Sequence, residues 1–598
     1  MKNITLVSVL IILSIIFSTK IWEFIKLDGN DIQILGEYYE NKHNGLNDPL
    51  RYVIFVFIPV FTFSLYKFFI EKSSLSLASL KLNLNEYRKK INILFYLNLI
   101  IIFFLFLEFL SINFPLHLLD IFHEGQKLTA PYKSLLDGKL WAGSYVTTGI
   151  INENLGIKFF WNIVKNPSIG SMRYVQILYV LFLKLSLVIL IYQISKQIFL
   201  STKSKILFYL ILIFISHFLI DYNLGSGDNI SYRDLPVILC LIFFIEFLLR
   251  NNNFILLVLI SFLAVTSFFW SIDRAITVNL FIVFIFIIFF LNKRFRDIYF
   301  TLCSIIIFWL IFYLLLGDEF YYFIDNSISI LKNQNYIHGI IHPTPFSDME
   351  NSSRATKSLL SIILLLIITT NFLFSKKSAY NSNFKIIIFA LTFLAFCSYM
   401  YALSRSDGGH IKQTTGILIL TFSMLFSFYV LKYFDNFLIK KFQIFFLISL
   451  ISLTLIFLII SNFKIYFNNI SNYAERLKEY ILLEDENFLS KKQIYLIDNI
   501  KPLISNENCI QLFTYDAALP YLLKKINCSK YYFIYSLGSK KEQKQFISHL
   551  KNTNVIIYSG QTDEWGQTPQ KKLHLVDDFI KSRYLKSVKI SDWMIKLN

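Results

Sequence analysis

Residues 402–414, ALSRSDGGHIKQT, lie between two long apolar runs and gather four charged or titratable side chains within eight positions: Arg405, Asp407, His410 and Lys412. Arginine and lysine donate charge-assisted hydrogen bonds, and a carboxylate beside an imidazole can orient such a donor or move a proton. A helix that starts near Thr414 would point its free amides at the same place, which favours an anion. The pattern therefore fits a phosphate better than a cation, and the alternative is a hydrophilic hairpin that merely stays outside the membrane.

A second cluster opens the link that follows the third apolar run. In DIFHEGQKL, three such side chains lie within five positions: Asp120, His123 and Glu124. On a continuing helix the two carboxylates share a face, where like charges raise at least one pKa or hold a cation. The cluster predicts a general base or a site for a divalent cation such as Mg²⁺ or Mn²⁺, with a hydrated helix end as the alternative. Farther along, Trp141 and Tyr145 predict either interfacial aromatic residues or a surface that stacks on a sugar ring.

Two more arginines stand at the ends of apolar runs. In GSGDNISYRDLP, Asp234 and Pro236 are explained as an N-cap and a first-turn proline, which leaves Arg233 as a candidate for binding an anion. In FFWSIDRAITVN, the chain reverses with almost no loop, so Asp273 and Arg274 must lie close to membrane depth. Either this pair neutralises itself, or Arg274 faces a polar cavity and meets an anionic ligand.

The elements that position these residues are apolar helices. The 598 residues are 55% hydrophobic and only 16% charged, which is typical of a polytopic helical membrane protein. Runs of roughly 16 to 22 apolar residues predict about thirteen transmembrane helices. The predicted spans are 4–19, 52–70, 93–113, 174–195, 206–221, 235–250, 254–270, 275–291, 299–316, 358–374, 385–403, 414–431 and 443–462.

The formal net charge of +18 does not require a nucleic acid partner, because the basic residues are scattered at the ends of apolar runs. Alternate links are basic and are predicted to be cytoplasmic, with the N-terminus. The other links and the tail are predicted to face outward, into the periplasm of a bacterium, from a protein of the inner membrane. The principal outward loops are 114–173, 222–234, 317–357 and 404–413.

The tail, residues 464–598, differs in character from the transmembrane domain, residues 1–463. The segments CIQLFTY, YYFIYS and NVIIYSG read as strands separated by helices, which predicts a small extracytoplasmic α/β domain. Cys509 and Cys528 fall in this domain, where an oxidising periplasm would allow a disulfide.

Several of these stretches together resemble bacterial membrane glycosyltransferases of the GT-C type: DIFHEGQKL followed by LLDGKLW, then SRSDGGHIKQ, and in the tail CIQLFTYDAALPYLLKKINCSKYYFIY. The resemblance implies a GT-C-like fold and transfer of a sugar from a polyprenyl-phosphate carrier to a lipid or glycan acceptor at the outer face of the bilayer, without a nucleotide donor. By this resemblance, the carboxylate that deprotonates the acceptor or holds a metal is Asp120 or Glu124, with Glu124 favoured. The residues that bind the phosphate are Arg405, His410 and Lys412. This chain departs from the family in one respect: its acidic loop follows the third span, whereas in the family that loop follows the first. Either two N-terminal spans have been added here, or this loop is not the catalytic one.

Two alternatives remain. A non-catalytic transporter or flippase of an anionic lipid-linked saccharide would place ionisable residues at mid-membrane and interrupt its helices, whereas most charge here clusters at one face. A polysaccharide polymerase or ligase would use the same carrier on the same side, and the sequence barely separates it from the first interpretation.

Overall fold

The computed structural model describes residues 2–28, 43–72, 93–198, 200–220, 228–250, 253–338, 340–374, 382–403, 406–437, 449, 468–559 and 568–598. In chain order its helices are α1 (Lys2–Phe24), α2 (Asn47–Leu65), α3 (Ile93–Ser111), α4 (His123–Asp137), α5 (Gly156–Val164), α6 (Ile169–Gln197), α7 (Thr202–His217), α8 (Leu235–Leu249), α9 (Phe254–Trp270), α10 (Ile272–Leu291), α11 (Phe295–Leu316), α12 (Glu319–His338), α13 (Ser352–Phe374), α14 (Ser382–Leu403), α15 (Gly408–Gln413), α16 (Gly416–Phe437), α17 (Tyr473–Leu482), α18 (Lys491–Leu503), α19 (Leu519–Leu522), α20 (Lys540–Leu550), α21 (Pro569–Lys572) and α22 (His574–Arg583). Its strands are β1 (Cys509–Phe513), β2 (Ile526–Asn527), β3 (Val555–Ser559), β4 (Lys586–Ile590) and β5 (Trp593–Leu597).

The prediction of a helical membrane protein with a small C-terminal α/β domain is confirmed. Within the described residues, nine helices are long and apolar enough to cross a bilayer. Twelve of the predicted spans coincide with helices, among them α7, α8 and α9, which have only 15 to 17 residues. The span predicted at 443–462 lies outside the described residues apart from residue 449, as does the boundary at 463/464, so both stay predictions.

The helix α6 runs through the centre of the bundle. It packs against α3, α7 and α8 and is buried on every side along most of its 29 residues. By contrast, α11 lies at the edge, where Ile306, Leu310 and Leu314 are exposed. Such a surface would promote aggregation in water, but lipid chains are as apolar as leucine and accommodate it.

The C-terminal domain is a five-stranded sheet in the order β2-β1-β3-β5-β4. The strand β1 pairs in parallel with β2 and β3, whereas β5 pairs antiparallel with β3 and β4. Apolar residues of α18 cover one face of the sheet and those of α20 and α22 cover the other. A disulfide joins Cys509, in β1, to Cys528, next to β2.

The prediction of a strand at YYFIYS is wrong. Residues Ile534–Leu537 form a 3-10 turn, and the preceding residues join no ladder. Side-chain amides take the place of a neighbouring strand: Gln511 Nε2 donates to the carbonyl of Tyr531 at 2.7 Å, and Asn527 Nδ2 donates to it at 3.0 Å. The aromatic run is thus buried without pairing in the sheet. The sheet instead gains two strands, β4 and β5, from the C-terminal hairpin.

The helix α4 holds the domain onto the bundle. Thr129 Oγ1 donates to the carbonyl of Ala517 at 2.6 Å, and Lys133 Nζ donates to the carbonyl of Asn527 at 2.9 Å. Gly125 lies so close to the domain that a Cβ there would be 2.5 Å from the amide nitrogen of Ala518. We call the end of the bundle that carries this domain the domain face.

Candidate functional site

Three links that are far apart in sequence meet at Tyr401, near the end of α14. Arg233 Nη2 donates to Tyr401 Oη at 2.5 Å, and its guanidinium lies 5.1 Å from the centre of the ring. Arg274 lies 4.5 Å from the same ring, and the His410 ring is 5.8 Å away. Cations over an aromatic face are attracted by its quadrupole, so one tyrosine holds both arginines, with the His410 ring beside it. We call Arg233, Arg274, Tyr401 and His410 the tyrosine cluster.

Two aspartates balance the two arginines of this cluster. Arg274 forms an ion pair with Asp234 and donates to Asp273 Oδ2 at 2.8 Å, while Arg233 Nη2 lies 3.8 Å from the same Asp273 oxygen. A single residue, Ser271, separates α9 from α10, and its hydroxyl donates to Asp273. Removing one partner of a buried pair leaves an uncompensated charge and typically costs about 3–5 kcal/mol. The charges of the two arginines are therefore balanced by those of the two aspartates.

Asp234 performs two tasks. Its carboxylate closes a capping box in which Ser231 is the N-cap, accepting the Ser231 amide at 2.9 Å, and it also pairs with Arg274. Asp234 stands at the N-cap position of α8 but its side chain makes no cap hydrogen bond there, so the predicted capping of this span by Asp234 is wrong. Arg233 remains partly accessible, with 14% of its side chain exposed. Burial acts to lower the pKa of Arg233, but Tyr401 and Asp273 outweigh it and hold that pKa above its usual value. Arg233 is thus a permanently charged donor at the edge of the cluster.

The link 404–413 contributes an oriented imidazole. Asp407 caps α15 by accepting the amide of His410 at 3.0 Å, and its other oxygen accepts His410 Nδ1 at 2.5 Å. Lys412 lies two positions after His410, about 200° round the helix axis, so the two point to different sides. Arg405 lies outside the described residues.

Arg354, in the first turn of α13, is a cation that the sequence reasoning missed. A Cβ on Gly408 would collide with Arg354 Nη1, so the guanidinium rests on the backbone at the start of α15. Arg354 is exposed, and no acidic side chain in the described ranges pairs with it. The sequence signal was a basic residue just before the predicted span 358–374, and basic residues at span ends are common enough to be overlooked.

The acidic motif lies at the junction of the bundle and the domain. Both Glu124 oxygens are engaged by Arg173, through Nε at 2.7 Å and Nη2 at 2.8 Å, and one also accepts the amide of Asp120 at 2.9 Å. Arg173 Nη1 donates in addition to the carbonyls of Pro115 and His117. The Glu124–Arg173 pair therefore fastens the link before α4 to α6, and this geometry favours Asp120 over Glu124 as the reactive carboxylate.

Asp120 and His123 form a dyad on the surface. Asp120 Oδ1 accepts the amides of Phe122 and His123, and Oδ2 accepts His123 Nδ1 at 2.8 Å. Burial alone would raise the pKa of Asp120, but the hydrogen bonds and charge of His123 outweigh it and lower this pKa to about 2. About half of each side chain is exposed, so an ionised carboxylate orients an accessible imidazole.

A divalent cation does not fit these residues. Arg173 already neutralises Glu124, which leaves Asp120 as the one accessible carboxylate of the motif. Across the described part of the chain, no three His, Cys, Asp or Glu side chains come together as a metal site would require. Hard cations such as Mg²⁺ are held by several oxygen ligands, so this donor set is too small.

Lys127 connects the dyad with the tyrosine cluster. It lies one turn after His123 on α4, about 6 Å along the axis. Its Nζ donates to Gln176 Oε1 at 3.2 Å and lies 5.5 Å from the ring of Tyr232, the residue before Arg233. The two clusters therefore share one side of the bundle, with a lysine between them.

Trp141 and Tyr145 do not have the roles predicted for them. Trp141 is only 2% exposed and packs against Phe269 and Phe323. Tyr145 is equally buried, and its hydroxyl hydrogen-bonds to Ser329 Oγ at 2.9 Å. Because both rings are enclosed, neither can line the membrane interface or stack on a sugar.

Neither a protein-family model nor a curated protein matches this chain. Among solved structures, the chain is similar to the crystal structure of ArnT from Cupriavidus metallidurans bound to undecaprenyl phosphate, and to that of ArnT from the same organism in the apo state. Each is 9% identical to this chain, covers 84% of it and has a TM-score of 0.42. The alignments span 98% and 97% of those two chains, respectively.

Proposed function

We propose that this chain is a membrane glycosyltransferase of the GT-C type, which moves a sugar from a polyprenyl-phosphate carrier to a lipid or glycan acceptor. In this proposal the domain face is the periplasmic side of a bacterial inner membrane and the N-terminus is cytoplasmic. The convergence of Arg233, Arg274 and His410 on Tyr401 carries the proposal, because it holds the accessible donor Arg233 in a fixed position at the ends of apolar helices. The phosphate of a lipid-linked sugar would lie at the membrane surface, which is where the apolar helices end.

The proposed reaction needs no nucleotide. The acceptor hydroxyl oxygen bonds to the anomeric carbon of the sugar as the bond from that carbon to the phosphate oxygen breaks. Negative charge develops on the departing polyprenyl phosphate, where Arg233 and Arg354 stabilise it by charge-assisted hydrogen bonds. His123, held by Asp120, takes the proton from the acceptor hydroxyl through its outward Nε2. Lys127, between the two clusters, attracts the phosphate toward the dyad.

The test uses the full-length protein in nanodiscs with a panel of synthetic polyprenyl-phosphate sugars, and it measures release of polyprenyl phosphate. Arg233→Ala and His123→Ala are each expected to lower transfer by about 10² or more, the usual loss when a group that stabilises the transition state is removed. Arg296→Ala is the matched control, because Arg296 also lies over an aromatic ring, 4.6 Å from that of Phe254, but at the opposite end of the bundle. Undiminished transfer in both test variants would refute the assignment.

A flippase of a lipid-linked saccharide is the competing function from a different class. It predicts that labelled lipid crosses the bilayer of sealed vesicles without any new glycosidic bond. The same preparation distinguishes the two, because only a transferase yields free polyprenyl phosphate. A polymerase or ligase would release the carrier in pyrophosphate form or use a glycan chain as donor, and it is identified by which lipid product appears.

A further inference from the structure

The segment 343–351, just before α13, is a compact loop that its own hydroxyl groups hold in shape. Ser352 Oγ and Ser347 Oγ both donate to the carbonyl of Thr344, at 2.7 and 2.8 Å. The amide of Phe346 donates to Thr356 Oγ1 at 3.0 Å, which ties the loop to the second turn of α13. These hydrogen bonds define the shape of the loop around Phe346.

Phe346 stands out in this loop. Its φ is 60°, in the left-handed region that bulky residues rarely adopt, and its side chain is 58% exposed. The ring belongs to none of the apolar clusters formed by the described residues. Met349, nearby in the same loop, is 47% exposed, and its sulfur accepts the amide of Thr344 at 3.4 Å. The fold thus leaves two large apolar side chains exposed, against the backbone preference of one of them, and residues with such strained backbone cluster at functional sites.

The position of the loop indicates what these side chains meet. The candidate span Ser352–Phe372 begins directly after the loop, so the loop lies where the bilayer ends. Exposed apolar patches at this depth mark contact with lipid. We propose that Phe346 and Met349 form a wedge that inserts into the lipid of the membrane interface at the domain face.

Contact of this wedge with lipid depends on its apolar side chains. Residues 346–357 contain two acids and two bases, Asp348, Glu350, Arg354 and Lys357, so the segment has no net charge. The wedge therefore does not require anionic lipid. It adjoins the tyrosine cluster, because Arg354 rests on Gly408 at the start of α15, and so the lipid surface extends to the edge of the candidate site.

Spin labels test the insertion without reference to sugar transfer. A nitroxide is attached at Phe346→Cys in the full-length protein, with Cys303→Ser to remove the one free cysteine that is not fully buried. The matched control is Tyr495→Cys on α18 of the domain, since Tyr495 is also 58% exposed. In phosphatidylcholine nanodiscs, the ratio of oxygen to aqueous nickel-complex collisions is expected to be several-fold higher at 346 than at 495. Equal ratios would overturn the proposal.

Two further measurements distinguish an apolar wedge from a packed ring and from an electrostatic contact. Phe346→Gly places at φ 60° the residue that tolerates it best, so the melting temperature is expected to stay the same or rise. A clear fall in melting temperature would mean that the ring is packed as part of the fold and would overturn the wedge. The collision ratio at 346 is expected to be unchanged in an equimolar mixture with phosphatidylglycerol. If insertion required the anionic lipid, the contact would be electrostatic, through Arg354 and Lys357, and the apolar wedge would be wrong.

Discussion

Replacing Asp516 by asparagine should change how the stability of the C-terminal domain depends on pH. Asp516 follows β1, is 2% exposed, accepts Trp593 Nε1 with one oxygen and has no hydrogen-bond partner for the other. Burial raises its pKa from 3.8 to about 7, although Trp593 and Lys492 act to lower it. The folded domain therefore binds a proton that the unfolded chain has lost, between about pH 4 and pH 7, and stability falls as the pH rises through that window.

The magnitude follows from this difference in pKa. About three pKa units, at about 1.4 kcal/mol each, amount to about 4 kcal/mol over the whole window, of which roughly 2.5 kcal/mol falls between pH 5 and pH 8. In Asp516→Asn the neutral amide can still accept Trp593 Nε1, so this pH-dependent loss disappears. The variant should match the wild type near pH 4 and exceed it at pH 8.

Hydrogen exchange is the suitable assay, because a multi-pass protein rarely unfolds in two states and local opening energies are still measurable. The full-length protein in nanodiscs is compared at pH 5 and pH 8 in peptides that cover β1 and β5, after correction for the intrinsic exchange rate. Asp498→Asn, which changes an exposed carboxylate on α18 of the same domain, serves as the control and should keep the wild-type pH dependence. An equal loss of opening energy in wild type and Asp516→Asn would refute the reasoning.

The remaining predictions concern the acidic motif and the orientation of the chain. Glu124→Gln leaves Arg173 buried without its countercharge and should lower stability by about 3–5 kcal/mol, measured as a fall in melting temperature. Asp120→Asn should leave the melting temperature nearly unchanged, because its side chain is half-exposed, but should lower sugar transfer; a large loss of stability with transfer intact would contradict the roles given to the pair. Reporter fusions at positions 410 and 90 should report opposite sides of the membrane, with 410 outside, and the same side for both would contradict the proposed topology.

Hydropathy was sufficient to predict most of the bundle, because every helix that crosses a bilayer must satisfy its backbone internally and face apolar surroundings. The alternation of helices and strands likewise predicted the C-terminal domain. The run YYFIYS misled, since buried aromatic residues look the same in a strand and in an irregular segment whose carbonyls are satisfied by side-chain amides such as those of Gln511 and Asn527. The hydrophobic pattern of a segment does not show whether its backbone carbonyls are hydrogen-bonded by a neighbouring strand or by side chains.

The candidate site was predicted less completely. Arg233, Arg274 and His410 stood out because charge is rare beside apolar runs, but the tyrosine on which they converge did not, because 35 tyrosines are scattered along the chain. Glu124 was favoured as the reactive acid because of the motif around it. Its partner Arg173 lies 49 positions away, and only the fold shows that this pair is already satisfied.

Because of the disulfide between Cys509 and Cys528, the stability of the C-terminal domain depends on redox conditions. It closes the segment that contains β1, α19 and the residues on which α4 rests, with a sequence separation of 19. A cross-link of this size restricts the unfolded chain and thereby stabilises that docking surface. A copy kept among reduced thiols would have the same residues but a weaker support for α4, and hence for the Asp120–His123 dyad at its start. The stability of this docking surface therefore depends on the thiol–disulfide balance around the C-terminal domain.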